Sequence, residues 1–165
     1  MIILGIDPGS TRAGYGIIDF GPGIPRFVDG GIIKVSSQEK NIRLVELEEQ
    51  FKKILRNRHL DAAGIERLYF VKNLKTGLEV AQSRGVLILC LSKKKIPLYE
   101  WTPSEVKQAV TGYGSADKKS VEKMIRVILK IEDLKQPDDV YDALAVALVT
   151  GYTILNPKLQ ITNFK

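Results

Sequence analysis

The chain has 165 residues, 44% of them hydrophobic and 27% charged, which fits one folded domain and excludes a disordered chain. Its single cysteine, Cys90, excludes a disulfide scaffold, and Lys and Arg exceed Asp and Glu by 25 to 19, a net +6. The opening MIILGID reaches an acid at residue 7, too short for a signal peptide, and no apolar run approaches a membrane span. A cytoplasmic protein without membrane contact is the expectation.

In chain order, the apolar run 2–6 (IILGI) predicts a central strand buried on both faces. DPGSTRAG at 7–14 is turn-rich, and 15–20 resumes as a strand. Gly21, Pro22, Gly23 and Pro25 punctuate a turn before a third strand at 26–35. Residues 40–57 switch to helical period, with Ile42, Val45, Leu47, Phe51, Ile54 and Leu55 mostly on one side. A strand follows at 62–70, then a long helix at 74–92. One stripe of that helix runs through Leu74, Leu78, Ala81, Gly85 and Ile88, and a second through Val80, Leu87 and Leu91. A helix apolar on two sides packs on two things, although Ala81 and Gly85 serve a purely internal contact equally well. A last strand at 96–101 precedes helices at 103–110 and 117–130, and Pro137 opens a final helix to about Thr153. The plan is an α/β domain over 1–155, with a mixed sheet of five strands, three antiparallel ones first, flanked by helices. The tail 156–165 is expected to be flexible.

Charge is uneven along the chain. Residues 93–130 hold 9 basic and 4 acidic groups, and residues 131–165 hold 3 and 5. The basic segment is either a solvated helix face or a surface for a polyanion.

Four acids stand out against their surroundings. Asp7 closes the first strand, where it is a turn starter before Pro-Gly or a carboxylate that needs a partner or a metal to offset desolvation. Glu66 interrupts a strand, a place its propensity disfavours, and reads equally as an outward-facing residue. Asp139 and Asp142 are spaced to share one side of a helix. Asp138 and Asp139 also suit a helix start. Oxygen donors of this kind suit Mg²⁺ or Mn²⁺, whereas zinc would have only Cys90 and His59 as softer ligands. Cys90 reads as a core residue, and His59 as the C-terminal cap of the 40–57 helix.

Four segments resemble, in order and spacing, the motifs of one family. They are GIDPGSTRAGYGII, GIERLYFVKNLKTGLEVAQSRGV, WTPSEVKQAVTGYGSADKKSV and PDDVYDALAVAL. From Met1 to about Tyr152 the chain resembles the RuvC family of bacterial Holliday-junction resolvases, the crossover junction endodeoxyribonucleases, which have an RNase H-like fold. The resemblance implies that Asp7, Glu66, Asp139 and Asp142 are metal-binding catalytic carboxylates, and leaves Asp138 as a capping acid. It implies two Mg²⁺ ions per site, with Mn²⁺ as a substitute, roughly 3.5–4 Å apart. Lys107 and Lys118 fall on family positions implicated in DNA contact or catalysis, Tyr69 falls on an aromatic position near the junction centre, and Lys119 is expected to add to the DNA contact. Tyr69 stands where many relatives carry Phe, and Tyr141 where the family often has a small residue. The 74–92 helix, through Leu78, Ala81 and Gly85, is the implied homodimer element. The implied substrate is a four-way DNA junction, nicked symmetrically to leave 5′ phosphate and 3′ hydroxyl during recombination and repair, with the RuvA–RuvB branch-migration complex as partner. Two rivals have their own marks. An actin-like phosphotransferase would share the Asp-Pro-Gly-Ser-Thr loop, but needs a second lobe. A structural junction-binding protein would have no use for four intact acids.

Overall fold

β1 (Ile2–Asp7), β2 (Arg12–Asp19) and β3 (Arg26–Lys34) form an antiparallel meander. α1 (Lys40–Leu55) crosses to β4 (Ala62–Glu66), which pairs parallel with β1, and α2 (Leu74–Lys93) crosses to β5 (Leu98–Trp101), parallel to β4. α3 (Pro103–Thr111), α4 (Lys118–Leu129) and α5 (Asp138–Leu155) follow. The computed structural model describes residues 1–68, 74–132 and 135–156. Strand order is β3-β2-β1-β4-β5, so the expected mixed sheet with three antiparallel strands first is what forms.

The sheet separates two apolar cores, and strand parity assigns each residue to one of them. Leu4, Ile6, Ala63 and Ile65 pack with Leu47, Phe51, Leu55, Leu87 and Leu91 of α1 and α2. Ile3 and Ala62 face the other way, toward α3, α4 and α5. α5 is apolar on every side, with Ala143 through Leu148 fully buried, which makes it a central helix and not a surface one. It lies close on the strands because they carry glycine beneath it. A Cβ on Gly5 would collide with the Ala143 carbonyl, and one on Gly14 with the Asp139 carbonyl.

Several expected boundaries move for physical reasons. β2 begins at Arg12, not 15, because Gly14 is spent on the approach of α5 and pairs with Asp7 in the ladder. The strand expected over 62–70 ends at Glu66, and the Arg67 amide then donates to the Trp101 carbonyl at 2.7 Å. His59 is not a helix cap. α1 ends at Leu55 and is capped by Arg56, whose amide reaches the Lys53 carbonyl, while the His59 side chain is 91% exposed with Nε2 3.6 Å from Asp61. Asp138 is not a cap either, since Pro137 takes that position and Asp138 is the first helical residue. Asn156, expected at the start of the flexible tail, ends α5 with its amide on the Tyr152 carbonyl at 2.9 Å. Residues 157–165 of that tail lie outside the described residues. Tyr141 is accommodated fully in the core, 2% exposed, with the Arg126 guanidinium 4.9 Å above its ring. Cys90 is a buried core residue, as read from the sequence.

Candidate active site

The parity that buries Ile3 and Gly5 against α5 also turns Asp7 to that side, at the C-terminal end of β1. Glu66 does the same on β4, because Ala62 and Gly64 face α5 and Ile6 pairs in register with Ile65. Two carboxylates are thus set side by side at the C-terminal ends of adjacent parallel strands, the edge where α/β sheets collect their sites. α5 supplies Asp142 opposite them. A pocket of about 280 Å³ is lined by Asp7, Glu66 and Asp142 together with Pro103, Val106, Lys107, Lys118 and Val121.

The flanking helices are built to aim their lysines. α3 starts with a reciprocal capping box, in which the Glu105 amide donates to Thr102 Oγ1 at 3.2 Å and the Thr102 amide to Glu105 Oε2 at 2.7 Å. That fixes the helix carrying Lys107. α4 starts at Asp117, which accepts from the Ser120 amide at 2.7 Å. Lys118 and Lys119 then occupy the first turn, where the helix dipole disfavours cations. Lys118 is compensated by Asp142, with Nζ 3.2 Å from Oδ2. Lys119 is exposed and stands outside the pocket lining.

The acids oppose one another's ionisation. Burial, then the charges of Glu66, Asp142 and Asp139, push the Asp7 carboxyl up to about 8, with Lys118 pulling the other way. Burial and Asp142 push Glu66 up to about 7. Burial raises Asp142 as well, against the pull of Lys118. The proximity of Asp142 in turn raises Lys118. Such a cluster is unfavourable unless a cation neutralises it.

Asp139 is the exception among the four acids. It lies beside Gly14 and adds to the charge felt by Asp7, but it does not line the pocket. Its carboxylate is engaged by Arg12, with Nε 2.7 Å from Oδ2 and an Nη 3.3 Å from Oδ1. The 2.7 Å contact is a charge contact only. Oδ2 is buried and has no aligned hydrogen bond. Among the described residues, no three acidic, His or Cys side chains are gathered as a finished cation cage. Two of the four acids are instead neutralised by Arg12 and Lys118. The donor set nevertheless fits a hard divalent cation, since it is all carboxylate oxygen and includes one buried oxygen lacking a hydrogen bond.

Two arginines escaped the reading of the sequence. Arg12 looked like a loop residue. Arg84, on α2, donates from Nε to the Glu66 carbonyl at 3.1 Å and forms an ion pair with Glu100, an Nη 2.8 Å from its Oε2, pinning the end of β4 from the opposite layer. Neither contact has a local signal, because 127 and 18 positions separate the partners. Of the remaining expected residues, Tyr69 lies outside the described residues. Leu78, Ala81 and Gly85 line the outward face of α2. Leu78 is 67% exposed and a Cβ on Gly85 would meet nothing within 4 Å, so a purely internal contact fails at these positions, whereas Ile88 of the same stripe packs on the core.

Known proteins share this fold. The family model for crossover junction endodeoxyribonuclease RuvC matches residues 3–150. A protein of that name from Petrotoga mobilis is 42% identical over 152 residues, covering 92% of this chain and 93% of the relative. One from Thermosipho melanesiensis is 43% identical over 148 residues, covering 89% and 94%. Among solved structures, Thermus thermophilus RuvC superposes with a TM-score of 0.85 at 30% identity, covering 94% of this chain and 96% of that one. The same protein in complex with a Holliday junction substrate gives 0.86 at 29% identity, covering 93% and 94%. The yeast mitochondrial resolvase Ydc2, at 14% identity and a TM-score of 0.62, shares the fold. The chain belongs to the RuvC family of crossover junction endodeoxyribonucleases.

Proposed function

We propose that the chain resolves four-way DNA junctions by hydrolysing one phosphodiester in each of two symmetry-related strands, with Asp7, Glu66, Asp139 and Asp142 as the ligands of divalent cations. The observation that carries this is the acid cluster at the ends of β1 and β4, walled by lysines from α3 and α4. Mg²⁺ is the favoured ion, two per site, with Mn²⁺ able to replace it, because hard cations prefer all-oxygen sites. When bound, the ions polarise water and neutralise charge on the leaving oxygen.

The chain's own residues do the rest. Asp7 feels the charges of Glu66, Asp142 and Asp139, and would hold a cation together with them. Lys107 and Lys118 line the mouth and hold the backbone phosphates on either side of the scissile bond, and exposed Lys119 extends that contact. Water attacks phosphorus, the bond to the 3′ oxygen breaks, and that oxygen leaves protonated, giving 5′ phosphate and 3′ hydroxyl ends. Tyr69, two residues beyond Arg67, is read as the aromatic that meets the junction centre.

Paired cuts need paired sites. We infer a homodimer about the exposed apolar face of α2, with Leu78, Ala81, Gly85 and Leu89 in contact with a second copy. Residues 1–155 form the one nuclease domain in this reading. It works in the cytoplasm beside the RuvA–RuvB motor, and among the described residues no helix is long and apolar enough to cross a membrane.

The test is a labelled four-way junction against linear duplex of the same sequence, with Mg²⁺ or EDTA. The expected result is paired nicks at symmetric positions in the junction alone, and only with Mg²⁺. Tight junction binding without nicking would favour a purely structural DNA-binding protein.

A further inference from the structure

We propose that Arg12 is a releasable counter-ion for Asp139, which holds that carboxylate until a divalent cation takes it. The inference rests on the reading of Asp139 as a ligand and adds the residue that controls its availability.

The geometry is asymmetric in a way that favours exchange. Asp139 is the enclosed partner, its side chain 16% exposed, while Arg12 is 60% exposed. A carboxylate so placed is costly to leave without a cation, whereas an exposed guanidinium loses little by returning to water. The grip itself is imperfect. Arg12 lies within 2.7 Å of Oδ2 yet gives it no aligned hydrogen bond, so that buried oxygen keeps an unmet demand for a partner. Arg12 also gains nothing from its own strand neighbours. It sits directly across the β2–β3 ladder from Lys34, and like charges in that register repel. Asp139 is therefore what recruits Arg12 inward in this state.

The consequence is a competition. A cation approaching Asp7 and Asp142 must displace a positive group from Asp139 before the fourth carboxylate can turn to it. Arg12 lowers the affinity for the ion and leaves Asp139 neutralised in the meantime. Once released, the exposed guanidinium at the start of β2 is free to meet a backbone phosphate.

The experiment measures Mn²⁺ binding to the full-length chain without DNA, from the loss of the free-ion paramagnetic resonance signal. The proteins are wild type, Arg12→Gln, Arg12→Lys, Asp139→Asn and the Arg12→Gln/Asp139→Asn double variant. Removing the charge with Arg12→Gln should tighten Mn²⁺ binding about three- to tenfold, the range of a partly exposed ion pair plus one repelling charge. Arg12→Lys keeps the charge and should stay near wild type, and a folded Lys variant guards against loss of fold in the Gln variant. The gain should vanish in the double variant, as a coupled pair requires. If Arg12→Gln leaves Mn²⁺ affinity unchanged or weakens it while Asp139→Asn weakens it, Arg12 is not a competitor and the proposal is overturned. If Asp139→Asn has no effect on Mn²⁺ affinity, the underlying ligand reading fails, and the proposal with it.

Discussion

Replacing Asp7 by Asn should make the metal-free protein more stable, although it removes the central acid of the site. Asp7 is held up to about 8 against an ordinary value of 3.8, chiefly by burial and then by Glu66, Asp142 and Asp139. The folded state therefore binds its proton more tightly than the unfolded state does. Stability contributed by that proton is present below the ordinary value and is lost as pH rises toward 8. At neutral pH the interval already crossed, at about 1.36 kcal/mol per pH unit, caps the cost at about 4 kcal/mol. Relaxation of the pocket leaves an expected gain of about 1–3 kcal/mol for Asn, or roughly 3–8 °C in Tm for a chain of this size. Thermal melts followed by circular dichroism at pH 5, 6.5 and 8 in EDTA provide the check. The variant should be the more stable at each pH, with the gap smallest at pH 5 and largest at pH 8. Adding Mg²⁺ should reverse the order, because an ion at about a hundred times its Kd adds about 2.7 kcal/mol to a protein that binds it. The variant should lose most of that increment, together with nicking, while retaining junction binding. A variant less stable than wild type in EDTA at every pH would refute the idea that Asp7 is an uncompensated charge. An undiminished Mg²⁺ shift would remove it from the ligand set.

The other predictions follow from equally local features. Asp138 is an exposed acid in the first turn of α5, so Asp138→Asn should cost less than about 1 kcal/mol and little activity, whereas Asp139→Asn should abolish nicking; equal losses in a junction assay would mean the register of the acidic pair is misread. If Lys107 and Lys118 each meet a phosphate, alanine at either should flatten the salt dependence of junction binding by about one unit, and an unchanged slope would limit them to the chemical step. Gly85→Arg faces open space and should give a folded monomer by light scattering that makes single, uncoordinated nicks; an unfolded variant would place Gly85 in an internal contact. Tyr141→Ala empties a fully buried ring site under Arg126 and should destabilise the chain by about 3–5 kcal/mol in urea melts, with a loss under 1 kcal/mol showing that the site collapses.

The order of strands and helices could be read from the sequence because hydrophobic period is a local property. IILGI had to be a buried strand, and the switch from period two to helical spacing at residue 40 marked the first crossover. The acids were visible as charges in apolar company, and the family motifs fixed which of them belong together. What the sequence did not determine was how those charges are neutralised. Arg12 reaches Asp139 only because Gly14 lets α5 settle on β2, and Arg84 reaches the end of β4 only because α2 packs on the opposite face. The reading of His59 and Asp138 as caps failed for a related reason. A cap is chosen by where the chain must turn to rejoin the sheet, and that turn is set by packing. Local pattern thus decided which residues form each element. Only the tertiary structure decided which ions meet, because a charge pairs with whatever the fold brings within a few ångströms, at any separation along the chain.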